Sequence, residues 1–253
     1  MVFTKRILQL LLIISTVQGG VQPACAHNGQ IALSYPVTGI VVDASFSDWP
    51  TDLPRYPISL AEYGVVPGDS VDFSGDFRVV YNPEEKALFL ALEIRDDVTV
   101  IDSSATRSWF SEDGCEIYLN VTHDKRARAV QFRLRGEGEP HQRADQLEHK
   151  TQVRWKRELG YHRYEWRLDL SEVETLTQGL TLGLDVVVAD RDSDGSFSWM
   201  SWGEGTGKAS APTRSGDVVL VPSQAKTGVV SGQVRRNNSD LGIHAVYVQI
   251  QSI

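Results

Sequence analysis

The chain has 253 residues, of which 41% are hydrophobic, and 33 acidic against 25 basic residues give a formal net charge of −8. This apolar content is sufficient for a sizeable core and argues against a disordered chain. The acidic balance, with no basic cluster beyond the N-terminus, argues against a nucleic-acid or anionic-lipid partner and favours a neutral ligand or a cation.

The first 26 residues have the pattern of a secretory signal peptide. A short basic stretch precedes the apolar run 7–17, and small residues at 24–26 suit a cleavage site. The run is about half of the roughly 20 residues that a membrane helix needs, so we expect no membrane insertion after cleavage and an exported protein, periplasmic or extracellular. Loss of Cys25 with the signal would leave Cys115, which we expect to be a buried, inert thiol.

The rest of the chain consists of short runs in which apolar and polar residues alternate, separated by turn residues. No sustained period of 3.6 residues is found, so the pattern predicts strands packed as a sandwich or a barrel. Two hairpins are predicted, one turning at 82–85 and the other at Leu159-Gly160. The clearest strand runs are 77–81, 88–94, 115–121, 130–134, 153–155, 164–170 and 182–188.

The C-terminal tail differs from the preceding region. Residues 223–228 form a small polar linker, and residues 229–253 contain short apolar-rich runs. Roughly 25 residues cannot bury a core alone, so we interpret this segment as the first strands of an incomplete second β domain.

An acidic loop follows the buried run 182–188. Asp190, Asp192 and Asp194, followed directly by Gly195, form a pattern that is typical of half a calcium loop. Calcium takes about 6–8 oxygen ligands, so distant residues such as Asp96 or Asp97, or backbone carbonyls, would have to complete the site. The loop therefore predicts a structural calcium ion as the cofactor, with an ordinary aspartate-rich turn as the alternative.

Five signatures occur together in an order that resembles the family 9 carbohydrate-binding modules. The resemblance covers residues 37–222 and implies an all-β, antiparallel, jelly-roll-like β-sandwich. One departure is Ala44, where the family usually carries glycine. The signatures are Ile40-Val41-Val42-Asp43-Ala44 with Asp48-Trp49-Pro50; the strand pair 77–81 and 88–92 with Asp96-Asp97; Trp109 with Asp113-Gly114-Cys115-Glu116-Ile117-Tyr118-Leu119; Tyr161 with Tyr164-Glu165; and Asp185 through Asp190 to Asp194-Gly195, ending at Trp199 or Trp202.

The resemblance also implies a ligand and a site. It implies that Trp109, together with Trp199 or Trp202, clamps a terminal saccharide, although each tryptophan taken alone suits a core equally well. A pyranose needs flat aromatic walls and polar groups in the ring plane. The strands that should neighbour Trp109 supply candidates for this polar rim, namely Glu112, Glu116, Gln131 and Arg133.

We therefore predict non-catalytic carbohydrate binding by a monomer or by one module of a larger glycan-degrading or glycan-sensing protein. No catalytic motif is recognisable, so any glycosidase activity would reside in a partner domain. Two other functions stay open. A haem-binding electron-transfer sandwich would use Met200 with a histidine as axial ligands, and a sensor or adhesion module would bind a protein partner instead of a sugar.

Overall fold

The computed structural model describes residues 28–124, 127–135, 141–142 and 151–223. The predicted signal peptide, the predicted C-terminal segment 229–253 and all of the predicted linker except Ser223 lie outside the described residues. A search of the described part for a helix that is long and apolar enough to span a membrane gives none.

Thirteen strands make up almost all of the regular structure in these residues. Two short 3-10 helices, Phe46–Asp48 and Pro212–Arg214, are the other elements. The strands are β1 (Ile31–Pro36), β2 (Tyr56–Pro57), β3 (Leu60–Gly64), β4 (Phe73–Asn82), β5 (Ala87–Asp96), β6 (Gly114–Asn120), β7 (Val130–Arg135), β8 (His141–Gln142), β9 (Thr151–Glu158), β10 (Tyr161–Asp169), β11 (Thr181–Arg191), β12 (Phe197–Ser201) and β13 (Gly216–Leu220).

The strands form two layers, which confirms the predicted all-β sandwich. In the first sheet the order is β8-β7-β6-β11. On the side of β11 opposite β6, residues 181–184 pair with β13 and residues 187–191 pair with β12. An edge strand, β3, pairs with β12. The second sheet has the order β4-β5-β10-β9, with β2 on β4.

One strand joins the two layers. The first part of β1 pairs with β13 and its last two residues pair with β4, and both pairings are parallel. The remaining pairings are antiparallel, as the sequence predicts.

Both predicted hairpins are present. The β4–β5 register pairs Tyr81 with Leu88. In the turn, the Asn82 side chain accepts hydrogen bonds from the backbone N–H groups of Glu84 and Glu85. The β9–β10 hairpin turns at Leu159 and Gly160, with φ of 52° and 80°. Two positive φ values match the right-handed twist of the flanking strands, which is why a two-residue turn fits here.

The core lies between the two sheets and is filled by alternate residues of each strand. Cys115, Ile117 and Leu119 of β6 face inward with the corresponding side chains of β7 and β11. Burial raises the pKa of the Cys115 thiol, which is free and fully buried, as the sequence predicts. Because side chains alternate along a strand, the intervening residues of β6 and β7 stand on the outer face of the first sheet.

The outer face of the second sheet is covered by the segment that follows β1. Trp49 is buried against Val80 and Phe89, and its Nε1–H donates to Glu165 at 2.7 Å. The other oxygen of Glu165 accepts the backbone N–H groups of Asp43 and Ala44, each at 2.8 Å. One buried carboxylate therefore fixes this whole covering segment.

Candidate functional site

Aromatic side chains gather at one edge of the first sheet's outer face. Trp109, from the loop before β6, lies 5.3 Å from Tyr63 of β3 and 5.5 Å from Phe197 of β12, measured between ring centroids. Trp199 of β12 lies 6.4 Å from Trp109. Trp109 and Tyr63 are not core residues, since they are 40% and 55% exposed, whereas Phe197 is buried beneath them.

The rings of Tyr63, Trp109 and Trp199 form the wall of an open cavity of about 350 Å³ on the outer face of the first sheet. Strands β3, β6, β7 and β12 each contribute residues to it, as do the loop before β6 and the loop after β12. The lining residues are Tyr63, Trp109, Glu116, Tyr118, Arg133, Trp199 and Thr206. A mixed aromatic and polar surface of this kind suits a ligand with both apolar faces and hydrogen-bonding edges.

The polar part of the cavity is a connected network around Glu116. One of its carboxylate oxygens accepts from the Tyr118 hydroxyl at 2.5 Å and from the Gln131 amide at 2.9 Å. The other lies 2.5 Å from Nε of Arg133. Burial, followed by the charge of Glu116, raises the pKa of Tyr118, so the phenol stays protonated and donates. The network holds Glu116 and Arg133 in fixed orientations.

The two indoles do not form parallel walls. Their planes are inclined at 67°. A sugar held between two parallel rings, with carbon contacts of about 3.5–4.0 Å on each side, would need centroids roughly 7–8 Å apart. Trp109 and Trp199 therefore make a corner, in which a flat ring can stack on one indole while its rim meets the other.

Four of the predicted ligand-binding residues line this cavity: Trp109, Glu116, Arg133 and Trp199. Gln131 stands behind Glu116 as a hydrogen-bond donor. Glu112 is 1% exposed, accepts the backbone N–H of Asp102 and is not among the cavity residues.

The prediction that Trp202 contacts ligand is corrected. Trp202 is 2% exposed and packs edge-on against Phe77 in the core, at a centroid distance of 5.1 Å. Met200 is also a core residue, 4% exposed, which counts against the haem alternative. The inward-facing positions of β12 thus continue the sandwich core, and only its outward-facing Trp199 reaches the cavity.

Three cavity residues were missed by sequence reasoning. Tyr118 has the same parity as Glu116 on β6, and alternation could have identified it. Tyr63 lies on a short edge strand without a clear apolar alternation, and Thr206 lies in an irregular loop. Nothing in the sequence pattern around these last two indicates that they meet Trp109.

A buried ion pair fixes the loop that carries Thr206. Nζ of Lys208 lies 2.7 Å from Asp185 of β11, and both side chains are 0% exposed. The same nitrogen donates to the Gly203 carbonyl at 2.6 Å, while Asp185 accepts the Gly203 N–H. Burial raises the pKa of Asp185 to about 6, against the opposing effect of Lys208. The loop 203–214 is therefore anchored from beneath.

Carboxylates gather where β5, β6 and β11 meet. Asp96, Asp113 and Asp190 are buried, and neither oxygen of Asp190 has a hydrogen-bond partner among the described residues. Burial, and next the charge of Asp96, raises the pKa of both Asp113 and Asp190 to about 8. Burial likewise raises the pKa of Asp96 to about 7. Acids that repel each other inside a protein are a setting in which a cation is favourable.

Two groups of potential metal ligands occur in this region. Asp96, Asp113 and His162 have donor atoms within 4.8 Å of one another, as do Asp72, Asp97 and Asp192. Asp97 and Asp192 of the predicted calcium site thus belong to the same group. Asp190 is close enough to both groups for their charges to raise its pKa; the residues responsible are Asp96, Asp192, Asp113 and Asp72.

Asp194, the remaining residue of the predicted calcium site, lies outside both groups. Its carboxylate is exposed and accepts from the backbone and hydroxyl of Ser196. These hydrogen bonds lower its pKa, which is the ordinary behaviour of an aspartate that caps a turn.

Comparison with known proteins identifies the family of the chain. The family model described as "Carbohydrate family 9 binding domain-like" matches residues 41–223. A comparison with curated proteins gives no match.

Among solved structures, the chain is similar to a carbohydrate-binding module of family 9 from Caldicellulosiruptor kristjanssonii in complex with cellotriose, with a TM-score of 0.63 and 16% identity over 81% of this chain and 100% of that one. The complex of such a module with glucose gives a TM-score of 0.64 and 16% identity, over 83% and 100% of the two chains. At this identity the likeness shows a common fold. Since the family match spans well over half of the sequence, the chain belongs to the carbohydrate family 9 binding domain-like family.

Proposed function

We propose that the protein binds carbohydrate without catalysing a reaction, at the cavity between Trp109 and Trp199. The observation that carries this proposal is the exposure of Trp109, 40% of whose surface is open beside the fixed pair of Glu116 and Arg133. Exposed indoles are costly to leave in water and are expected where a ligand with an apolar face binds.

The proposed ligand is the terminal unit of a glucan-type oligosaccharide. A pyranose has apolar C–H faces and a rim of hydroxyls, which match an aromatic corner and a polar floor. The structural relatives were solved with cellotriose and glucose, which makes these two sugars the natural first ligands to test. Stacking on one indole would supply affinity, and hydrogen bonds to Glu116 and Arg133 would supply selectivity.

The proposal of a non-catalytic role is supported by the chemistry of the cavity. Glycoside hydrolysis ordinarily uses two carboxyl groups on either side of the bond. Among the described residues that line the cavity, Glu116 is the one carboxylate, and both of its oxygens are already engaged. The arrangement suits recognition of hydroxyl groups rather than proton transfer.

Calorimetric titration with cellotriose and glucose tests the proposal. We expect Trp109→Ala to weaken binding at least about tenfold, because the stacking wall is lost. The matched control is Ile101→Ala, which shortens an apolar side chain of the same loop that is 46% exposed and does not line the cavity. Circular dichroism would verify the fold of both variants. Equal affinities for the parent and Trp109→Ala would contradict the proposal, and so would an absence of binding by the parent to any saccharide of a glycan array.

We also propose that a structural calcium ion is held where β5, β6 and β11 meet. Calcium prefers oxygen ligands, and Asp190 offers two buried oxygens without partners in the described part of the chain. Asp72, Asp97 and Asp192 offer further carboxylates whose oxygens lie within 4.8 Å of one another. The ion would neutralise a group of acids that otherwise repel each other and would thereby stiffen the loops at this end of the sandwich.

A chelator tests the calcium proposal. An ion bound by the folded state alone stabilises that state by mass action, so removal of calcium should lower the melting temperature, and added calcium should restore it. In Asp190→Asn the melting temperature should no longer respond to calcium, whereas Asp194→Asn, the matched control, should respond as the parent does. If a chelator leaves the melting curve of the parent protein unchanged, the calcium proposal is wrong.

We further propose that the protein is exported to the periplasm or to the extracellular space, as a monomer or as one module of a larger chain. This proposal is supported by the secretory pattern of residues 1–26. Determination of the N-terminus of the mature protein from expressing cells, together with its mass in solution, would test it. A mature chain that retains its initiator methionine in the cytoplasm would contradict it.

A further inference from the structure

A separate hollow lies on the opposite side of the sandwich from the aromatic cavity. Its volume is about 390 Å³, and strands β4, β5 and β10 supply its floor. Its lining includes Arg55, Pro57, Ser74, Asp76, Glu93 and Tyr161. Because Phe77, Ile94 and Tyr164 of the same strands face the core, the floor residues of opposite parity stand on the outer face of the second sheet. We call this surface the charged hollow.

The charged hollow exists because the chain changes sheets beside it. Strand β2 pairs with β4 over two residues only. The N–H of Ile58 still donates to the Gly75 carbonyl of β4 at 2.8 Å, whereas the N–H of Ser59 donates to the Ser201 carbonyl of the first sheet at 3.1 Å. Beyond this crossing, β4 has no strand on that edge in the described part of the chain, which leaves room for a ligand.

Ion pairs fix the charged side chains of this hollow. Arg55 lies 2.9 Å from Asp76 and 3.4 Å from Glu93, and Arg163 lies 3.1 Å from the other oxygen of Glu93. The pairs continue across the sheet as one row of three basic and three acidic side chains, namely Arg55, Asp76, Glu93, Arg163, Glu158 and Lys156. The row is balanced in charge, and side chains that hold each other in place are preorganised for a ligand.

The chemistry of the charged hollow matches a neutral ligand rich in hydroxyl groups. A hydroxyl both donates and accepts, so it can bridge the carboxylate of Glu93 and the guanidinium of Arg55. Tyr161, which is partly exposed, adds an aromatic ring on which the C–H face of a pyranose can stack. A row without net charge offers no general attraction to an ion of either sign.

We propose that the charged hollow is a second binding site, for a neutral saccharide, that acts independently of the aromatic cavity. The two sites lie on the outer faces of different sheets, with the core of the sandwich between them. One short sugar cannot fill both. A protein with two such faces joins two glycan chains, or binds twice to a dense glycan surface and gains avidity without any further contact.

A variant that lacks the aromatic wall isolates the second site. Isotope-labelled Trp109→Ala would be titrated with neutral trisaccharides of glucose, xylose and mannose, and its backbone amide resonances would be followed by NMR. We expect at least one of these sugars to shift the resonances of residues 74–76, 93 and 161 in a saturable manner. Glucuronate, a charged sugar, should bind there no more tightly than glucose.

Substitutions at Tyr161 test the role of its ring. In the Trp109→Ala background, Tyr161→Ala should weaken binding at the charged hollow at least about tenfold, because the stacking surface is lost. Tyr161→Phe keeps the ring and should bind as Trp109→Ala does. The matched control is Gln152→Ala, which shortens an exposed side chain of β9 on the same outer face but outside the hollow. Circular dichroism would verify the fold of each variant.

The outcomes separate this inference from the proposed function. If none of the three trisaccharides shifts the resonances of the hollow, the second site is wrong, whereas shifts around Trp109 in the parent would leave the proposed function standing. Undiminished binding in Tyr161→Ala, or tighter binding of glucuronate than of glucose, would also overturn the second site. Shifts of the parent at the hollow alone would support the second site and contradict the proposed function.

Discussion

Replacement of Lys208 by methionine should strongly destabilise the protein. Lys208 and Asp185 form an ion pair in which both side chains are fully buried, at 2.7 Å. Methionine has a similar length but leaves Asp185 as an uncompensated buried acid. Removal of one partner of a buried pair costs about 3–5 kcal/mol, and for a domain of this size that lowers the melting temperature by roughly 10 °C.

The loss of stability should depend on pH. Burial raises the pKa of Asp185 to about 6 even beside Lys208, and without the lysine this pKa should rise further. An acid whose pKa is higher in the folded state than in the unfolded state favours folding below its unfolded pKa, and this contribution is lost as pH rises through the folded pKa. The difference between Lys208→Met and the parent should therefore be largest above pH 7 and should shrink towards pH 5.

Urea denaturation at pH 5, 7 and 8 would measure this difference. The double variant Asp185→Asn/Lys208→Met removes both charges and keeps an oxygen acceptor for the Gly203 N–H, so it should recover much of the lost stability. The reasoning would be refuted by a Lys208→Met protein that is as stable as the parent at pH 8, or by a double variant no more stable than the single one.

Two further predictions concern single residues. Trp202→Ala should lower the free energy of unfolding by about 3–5 kcal/mol, because it empties a core position beside Phe77. Chemical denaturation measures this loss, and a loss below about 1 kcal/mol would contradict a core role for Trp202. Ala44→Gly should raise the stability by up to about 1 kcal/mol in thermal melts, because Ala44 has a φ of 62° that glycine adopts without strain; a lower melting temperature would contradict this explanation.

The alternation of apolar residues explains why the fold could be predicted from the sequence. It identifies the inward faces of β4, β5, β6 and β11 and both hairpins. The same alternation also indicates which of the two tryptophans near β12 reaches the cavity. Trp202 has the parity of the buried Met200, whereas Trp199 has the opposite parity and reaches the outer face.

The remaining features depend on contacts between segments far apart in the sequence. The β3 strand shows no clear alternation and contains a bulge, so Tyr63 could not be assigned to a surface. Asp113 and Asp190 come together because the register of β6 on β11 pairs Gly114 with Ala189, the residues next to them. Register between distant strands is set by the whole core, which a local pattern does not encode.

The position of β1 has a consequence for biosynthesis. This strand is among the first to be made, yet its main partner, β13, ends at Leu220. Until almost the whole domain has emerged, the part of β1 that pairs with β13 and one half of β11 remain unpaired edges. Such late, non-local pairing slows folding and leaves the nascent chain dependent on protection from aggregation, so truncation just before β13 should be far more damaging than removal of an equal length from an exposed loop.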